Sequence, residues 1–248
     1  MDLGLKGRRA LVTGASSGLG LACARALAAE GVSVAIAARS AERLAAAAAS
    51  IDGEVVQIVA DMSSPEGVAG LLVYAHEAFS EIDILVANAG GPPAGSFTDT
   101  DIALYEPALR LNLLSTVELC KALVPEMQAR AWGRVLAITS ISVRQPIDRL
   151  ILSNTARAGL TGFLKTLAGE VAGDGVTVNS LQPGSHATDR LRTVYGDDLA
   201  AVTAGIPAGR LGDPADFGRI AAFLCSDSAR FITGAAIPID GGASQGLQ

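Results

Sequence analysis

The chain has 248 residues, half of them apolar, which is enough for one sizeable core, and nothing requires a second domain; we expect a single domain over 1–248. A net charge of −6 with dispersed Lys and Arg provides no basic surface, so nucleic acid is not expected as a partner. No segment approaches the roughly 18 continuous apolar residues of a membrane span, and no secretory signal is visible, so we expect a cytoplasmic protein with no membrane partner.

Three cysteines are scattered along the chain at Cys23, Cys120 and Cys225, without CxxC spacing. This pattern argues against a disulfide framework and against a zinc site, and it fits a reducing compartment. We therefore expect no metal.

The apolar segments alternate between short runs rich in Val and Ile and longer runs with helical spacing. Strands are predicted at Arg9–Thr13, Val32–Ala38, Val55–Ala60, Ile82–Ala87, Arg134–Thr139, Val176–Leu181 and Ala236–Ile239. Helices are predicted at Leu19–Glu30, Ala41–Ser50, Pro65–Phe79, Asp101–Ala131, Ser153–Ala172 and Pro214–Cys225. Repeated strand–helix units predict an α/β fold in which helices cover both faces of a doubly wound parallel sheet of about seven strands.

Two residues support these boundaries. Gly31 follows the first predicted helix, where a glycine in the left-handed conformation commonly ends a helix. Pro214 follows Asp213 as a first-turn proline follows an N-cap. The segment Gly184–Gly209 has no clear period, which fits either a loop that covers a substrate or a plain surface connection.

The first predicted strand runs through a glycine-rich turn directly into a helix. Such a turn points helix N-terminal amides at a pyrophosphate, although a simple strand-to-helix connection can look similar. The candidate phosphate-binding residues are Gly14, Ser16, Ser17, Gly18, Leu19 and Gly20.

The spacing TGxxxGxG in this turn resembles that of the short-chain dehydrogenase/reductase family, and further resemblances cover nearly the whole chain. They imply a Rossmann-type fold. Asn88-Ala89-Gly90 resembles the family motif that supports the sheet and the adenosine side of the cofactor. Asp61-Met62 resembles the pair that borders the adenine. Pro183-Gly184 with Thr188 resembles the segment at the nicotinamide end, and Asn112 matches the asparagine that kinks a helix and holds a water.

The residues after the second strand bear on the choice of cofactor. An acidic side chain there would bind a free ribose, whereas a cation would accept a 2′-phosphate. This chain has Arg39 and Ser40 at that point, so NADP is expected rather than NAD. The alternative is that Arg39 is a solvated surface residue.

The catalytic pattern departs from the family. Ser140 matches the serine that polarises the carbonyl, but the family's tyrosine and lysine positions fall on Ser153 and Arg157. A serine hydroxyl is a much weaker acid than a phenol, and a guanidinium stays protonated, so neither is a natural proton donor. The segment LSNxxRxG resembles an atypical branch similar to β-ketoacyl-carrier-protein reductases. Arg157 could contact the cofactor ribose or a substrate anion, or form a structural ion pair; Ser153 could be an N-cap.

Four other residues have open roles. His186 could serve as an acid near the nicotinamide or be an exposed bystander. Tyr195 could cover the site, and packing of a lid is the simpler interpretation. His76 is expected at the surface, and Arg144 could pair with an acidic substrate or face solvent.

Three functions remain open on this sequence. The leading hypothesis is an NADP-dependent oxidoreductase that interconverts a carbonyl and an alcohol of a small molecule. The others are a non-redox enzyme and a non-catalytic nucleotide-binding protein on the same scaffold. The resemblance also implies a homotetramer or homodimer, because the helices 101–131 and 153–172 pair across subunits in the family.

Overall fold

A computed structural model describes residues 2–196 and 199–246 of the chain. Its seven strands are β1 (Arg9–Thr13), β2 (Ser33–Ala38), β3 (Val55–Val59), β4 (Ile84–Ala87), β5 (Gly133–Ile138), β6 (Val176–Pro183) and β7 (Ala236–Ile239). Its α-helices are α1 (Gly18–Ala29), α2 (Ala41–Ala48), α3 (Pro65–Ala78), α4 (Tyr105–Leu109), α5 (Ser115–Ala129), α6 (Ile151–Val171), α7 (Asp189–Tyr195), α8 (Leu199–Ala204) and α9 (Pro214–Cys225).

The strands form one parallel sheet in the order β3-β2-β1-β4-β5-β6-β7. The predicted doubly wound, Rossmann-type α/β fold is confirmed. The order of the strands reverses between β1 and β4, and ligands of such sheets bind in the crevice at the carboxyl ends of the strands beside that point.

An apolar layer covers each face of the sheet. One layer joins the inner sides of α3, α5 and α6, where Leu71, Leu123 and Leu164 are buried. The other joins α1, α2 and α9, where Leu27, Leu44 and Phe217 are buried. Helices on both faces explain why the strands are apolar on both sides.

The two predicted boundary residues behave as expected. Gly31 has a φ of +78° immediately after the end of α1. Asp213 caps α9 by accepting a hydrogen bond from the Ala215 amide, 2.8 Å away, with Pro214 in the first turn.

Apart from shifts of one to three residues at the ends of most elements, two predicted segments differ from the structure. The helix predicted over Asp101–Ala131 is divided into a 3₁₀ turn, α4, a five-residue π-helical segment at Arg110–Leu114, and α5. The irregular segment Gly184–Gly209 contains α7 and α8, which have seven and six residues. Helices of fewer than two full turns are too short to show an apolar period.

No helix within the described residues is long and apolar enough to cross a membrane.

Candidate functional site

A cavity of about 450 Å³ lies at the carboxyl ends of the central strands. It brings together most of the predicted cofactor and catalytic residues, although they come from distant parts of the chain. Those lining it are Gly14, Ser17, Gly18, Leu19, Asn88, Ala89, Gly90, Ser140, Ser153, Arg157, Pro183, Gly184 and Thr188.

Seven predicted residues lie outside the lining of this cavity: Ser16, Gly20, Arg39, Ser40, Asp61, Met62 and Asn112. Arg39, Ser40 and Asp61 follow β2 and β3, farther along the same edge of the sheet. Gly20 packs against the lining residues Gly14 and Asn88, and Asn112 lies in a segment that packs against α6.

Gly14 and Gly20 are required by close packing of the turn after β1. A Cβ on Gly14, whose φ is +57°, would lie 2.7 Å from the Asn88 Nδ2, and a Cβ on Gly20 would lie 2.5 Å from the Gly14 carbonyl oxygen. Asn88 Nδ2 donates to that same carbonyl at 3.0 Å, and Thr13 Oγ1 donates to the Asn88 carbonyl at 2.7 Å. The turn is therefore locked to the end of β4.

The start of α1 has the features of an anion site. Ser17 stands at the N-cap in extended conformation and makes no capping hydrogen bond with its side chain. The first amides of this twelve-residue helix therefore lack a side-chain acceptor among the described residues, and their partial positive charge faces the cavity that Ser17, Gly18 and Leu19 line.

Arg43 is a site residue that the sequence analysis missed. Its Nη2 donates to Ser17 Oγ at 3.0 Å, so this cation in the first turn of α2 reaches the phosphate-binding turn. Ser40 caps α2 by accepting from the Arg43 amide at 3.3 Å. The signal available in the sequence was a second arginine four residues after Arg39, at the start of the helix that follows β2.

Asp61 and Met62 differ in exposure. Met62 is buried. Asp61 is exposed, and its Oδ1 accepts from the Ser63 amide at 2.9 Å and from the Ser63 hydroxyl at 2.7 Å. These two bonds, helped by the nearby positive charge of Arg39, hold the pKa of Asp61 below its usual value. Asp61 is thus an ionised hydrogen-bond acceptor beyond the end of β3.

Ser140 follows β5 and begins a short 3₁₀ turn. Its Oγ accepts a hydrogen bond from the Ser142 amide at 3.0 Å, which orients the side chain. The hydroxyl proton remains available to a ligand in the cavity.

Ser153 and Arg157 lie one turn apart on α6 and both line the cavity. The interpretation of Ser153 as an N-cap is wrong, because the helix begins at Ile151 after Leu150 and Ser153 is buried inside it. The structural ion pair proposed for Arg157 is also absent from the described residues. Arg157 instead donates to the backbone carbonyls of Ile138 at 2.8 Å, Thr139 at 3.1 Å and Ala89 at 3.4 Å.

Asn112 stands in the π-helical segment between α4 and α5, which packs against α6. Its Nδ2 donates weakly to the Ala108 carbonyl at 3.4 Å, and its buried Oδ1 has no partner among the described residues. Single π turns within helices often occur at functional sites. Asn112 therefore interrupts the helix, as the resemblance implied, and it does so behind the cavity.

The four residues with open roles are now placed. His186 is buried rather than exposed; its Nδ1 lies 3.1 Å from the Gly184 carbonyl and its ring meets Phe217 edge-on at 5.2 Å. Burial lowers the pKa of His186, so it is neutral at pH 7.

Tyr195 lines the cavity and is half-exposed. His76 Nε2 pairs with Glu126 at 3.1 Å. Arg144 is partly buried, and its Nε donates to Gln182 at 2.5 Å.

A family model described as enoyl-(acyl carrier protein) reductase matches residues 14–244. The 3-oxoacyl-(acyl-carrier-protein) reductase FabG of Escherichia coli (strain K12) is 35% identical over 240 residues, which cover 97% of this chain and 98% of the relative. Dehydrogenase/reductase SDR family member 4 of Sus scrofa is 33% identical over 249 residues, which cover 98% of this chain and 89% of the relative.

A solved structure gives the same result. The L-sorbose reductase of Gluconobacter frateurii, crystallised with NADPH and L-sorbose, superimposes with a TM-score of 0.93 at 33% identity over 100% of both chains. The predicted oxidoreductase class, acting between a carbonyl and an alcohol, is confirmed. This chain belongs to the short-chain dehydrogenase/reductase family.

Proposed function

We propose that this protein is an NADP-dependent reductase of a carbonyl compound, similar to 3-oxoacyl reductases but with a non-standard catalytic site. The observation behind this proposal is that one cavity joins the phosphate-binding turn to Ser140, Ser153 and Arg157. The relatives named for 3-oxoacyl reduction and the sorbose reductase bound to NADPH support the reaction and the cofactor.

The residues present fit a dinucleotide. Gly14 and Gly20 leave space that a Cβ would fill, and the first amides of α1 have no side-chain acceptor, so Ser16, Ser17, Gly18 and Leu19 would hold the pyrophosphate. Asp61, Met62 and the segment Asn88-Ala89-Gly90 would border the adenosine, and Pro183, Gly184 and Thr188 the nicotinamide end. NADPH supplies the hydride when it is bound.

The preference for NADP over NAD rests on two cations. Arg39 is exposed directly after β2, and Arg43 reaches Ser17 from the next helix. No carboxylate stands between β2 and α2 to bind a free ribose hydroxyl. Two guanidinium groups on this side of the turn suit a 2′-phosphate, which accepts charge-assisted and forked hydrogen bonds.

The catalytic group of this proposal consists of Ser140, Ser153 and Arg157, with Asn112 as a positioning residue behind α6. The hydroxyls of Ser140 and Ser153 donate hydrogen bonds to the substrate oxygen, and the buried positive charge of Arg157 stabilises the negative charge that develops on it. Water supplies the proton, because neither serine nor arginine gives one up readily. Lack of a positioned acid costs about 10²- to 10⁴-fold in rate. In this respect we assign the chain to an atypical branch of its family, one without the tyrosine and lysine pair.

The proposal extends to the assembly. We propose one domain over 1–248 that forms a homotetramer or homodimer in the cytoplasm. Exposed apolar side chains cluster near α4 and α5, including Ile102, Leu104 and Leu114, and the three free buried cysteines fit a reducing compartment. Light scattering at micromolar concentration tests the assembly, and a monomer would contradict it.

Titration with NADPH and NADH, followed by nicotinamide fluorescence, tests the cofactor. We expect the wild type to bind NADPH more tightly than NADH. Arg39→Ala and Arg43→Ala should each weaken the affinity for NADPH by about tenfold or more and leave the affinity for NADH unchanged. Arg25 is an exposed cation on the outer side of α1, and Arg25→Ala should change neither affinity. Equal affinities for both cofactors would refute the preference, and no binding of either would refute the function.

A further inference from the structure

Arg157 is a buried cation that has no carboxylate partner among the described residues. Its side chain is enclosed, and its recorded partners among the described residues are the carbonyls of Ile138, Thr139 and Ala89. Burial, together with the nearby charge of Arg190, lowers the pKa of Arg157 to about 10, so it remains charged at neutral pH. Buried charges in proteins are normally paired, because an isolated charge is strongly destabilised away from water.

Arg157 still has donors to offer. A guanidinium has five N–H groups in a planar fork. Three hydrogen bonds, two from Nη1 and one from Nη2, are recorded for it. Among the described residues, Nε has no hydrogen-bond partner and Nη2 has one partner for its two hydrogens; the Nε hydrogen and one Nη2 hydrogen lie on the same edge of the planar fork. That geometry is the one that a carboxylate binds with both oxygens.

A second guanidinium, that of Arg190, lines the same cavity. Arg190 belongs to α7, and its Nη2 donates to the Pro92 carbonyl at 3.1 Å while lying against Gly91, close enough that a Cβ on that glycine would approach it to 2.6 Å. Among the described residues, the one acidic residue in the lining is Asp189, which is exposed in the first turn of α7. The described part of the lining therefore has two arginines and one aspartate, in a protein of net charge −6.

Ser153 leaves room beside Arg157. Its side chain ends at a single hydroxyl, on the helix face that Arg157 shares one turn later, and both border the cavity. Because the small side chain of Ser153 fills little of this space, a substrate group can approach the guanidinium of Arg157.

We propose that the substrate is a free oxo acid, in which a carboxylate one or two bonds from the reacting carbonyl binds to Arg157 and Arg190. This inference rests on the proposed function and narrows its substrate to an acid rather than a thioester. A C–H bond forms at the carbonyl carbon with the hydride that NADPH gives up, the C=O π bond breaks, and water protonates the resulting alkoxide. The oxo acid is reduced to a hydroxy acid and NADPH is oxidised to NADP⁺.

The test compares substrates that differ only in the acidic group. Pyruvate is paired with methyl pyruvate, and acetoacetate with its ethyl ester and its N-acetylcysteamine thioester, each with saturating NADPH. We expect kcat/KM for the free acids to exceed that for the esters by about 100-fold, which is the effect of charge-assisted hydrogen bonds to two guanidinium groups. Arg190→Met should reduce this ratio by about tenfold.

Two further variants make the test specific. Arg192→Met removes a cation from the same short helix, outside the cavity lining, and should leave the acid-to-ester ratio unchanged. Arg157→Lys keeps the buried charge but loses the fork, so it should lower the ratio while the protein stays folded by circular dichroism. The Kd of NADPH is measured for every variant.

The outcomes separate the inference from the function on which it rests. Equal or faster turnover of esters and thioesters by the wild type would overturn the inference and leave the reductase intact. A weaker Kd for NADPH in Arg190→Met, with an unchanged acid-to-ester ratio, would identify Arg190 as a cofactor ligand and also overturn it. Absence of turnover for acids, esters and thioesters alike, with NADPH bound, would refute the proposed function itself.

Discussion

Substitution of Gly20 by alanine tests whether the turn after β1 is built for a dinucleotide. The new Cβ would lie 2.5 Å from the Gly14 carbonyl oxygen and 2.7 Å from Asn88 Nδ2. Both atoms are fixed, since they form a hydrogen bond with each other at 3.0 Å. The turn must therefore open for the methyl group to fit.

The size of the effect follows from these contacts. Insertion of an extra methyl group into a tightly packed region destabilises it by about 1–3 kcal/mol. If the displacement falls on the phosphate-binding turn, the same free energy is lost from cofactor binding, which corresponds to a Kd for NADPH about 5- to 140-fold higher. Gly70→Ala is the matched control, because nothing lies within 4 Å of a Cβ at Gly70 in α3. That change should stabilise the helix by up to about 1 kcal/mol and leave the Kd unaltered.

The assay is a fluorescence titration with NADPH for both variants, accompanied by urea unfolding. A Kd of Gly20→Ala within twofold of wild type would show that the turn does not set the cofactor site, and the argument from close packing would fail. Weaker binding in Gly70→Ala to the same extent would show that the assay reports general stability instead.

Three further predictions concern the rest of the molecule. Phe217→Ala removes a fully buried ring beneath α1 and should lower the free energy of unfolding by about 3–5 kcal/mol in urea melts, whereas Phe231→Ala, at a fully exposed ring, should change it by less than about 0.5 kcal/mol; similar losses would contradict the assigned core. Burial alone would lower the pKa of His76, but its bond to Glu126 raises that pKa above the usual value. The pair with Glu126 therefore stabilises the folded protein below pH 6.5, and this contribution is lost as the pH rises through the raised pKa. His76→Gln should therefore destabilise the protein by about 0.2–1 kcal/mol at pH 5.5 and by almost nothing at pH 8.5, and a loss that grows with pH would refute this sign. Burial raises the pKa values of Cys120 and Cys225 to about 12 and that of Cys23 further, so a thiol reagent at pH 8 should label none of the three in the folded protein and all three in urea; rapid labelling of the folded protein would contradict their burial.

Local patterns were sufficient to predict the sheet and the glycine-rich turn between β1 and α1. The strands Arg9–Thr13 and Ala236–Ile239 and the helix Pro214–Cys225 were predicted with the bounds that the structure shows, because strong apolar periods and an N-cap mark them within a few residues. The π turn at Asn112 could not be derived from periodicity, since a single wide turn is too short to establish a period of its own. Arg43 was missed for a different reason: its contact with Ser17 joins residues 26 apart, and helix spacing says nothing of it.

The surroundings of Arg157 show where sequence reasoning ends. Helical spacing placed Ser153 and Arg157 on one face, and this much is correct. Whether a buried cation is paired is decided by the segments that end beside it, here the carboxyl ends of β4 and β5 and the helix α7. The carbonyls that it contacts belong to residues 18, 19 and 68 positions away, and the neighbouring charge is a second arginine rather than a carboxylate. Among the described residues no carboxylate pairs with Arg157, whose guanidinium borders the cavity. Because an isolated buried charge is strongly destabilised, an anionic ligand at this guanidinium would be favoured.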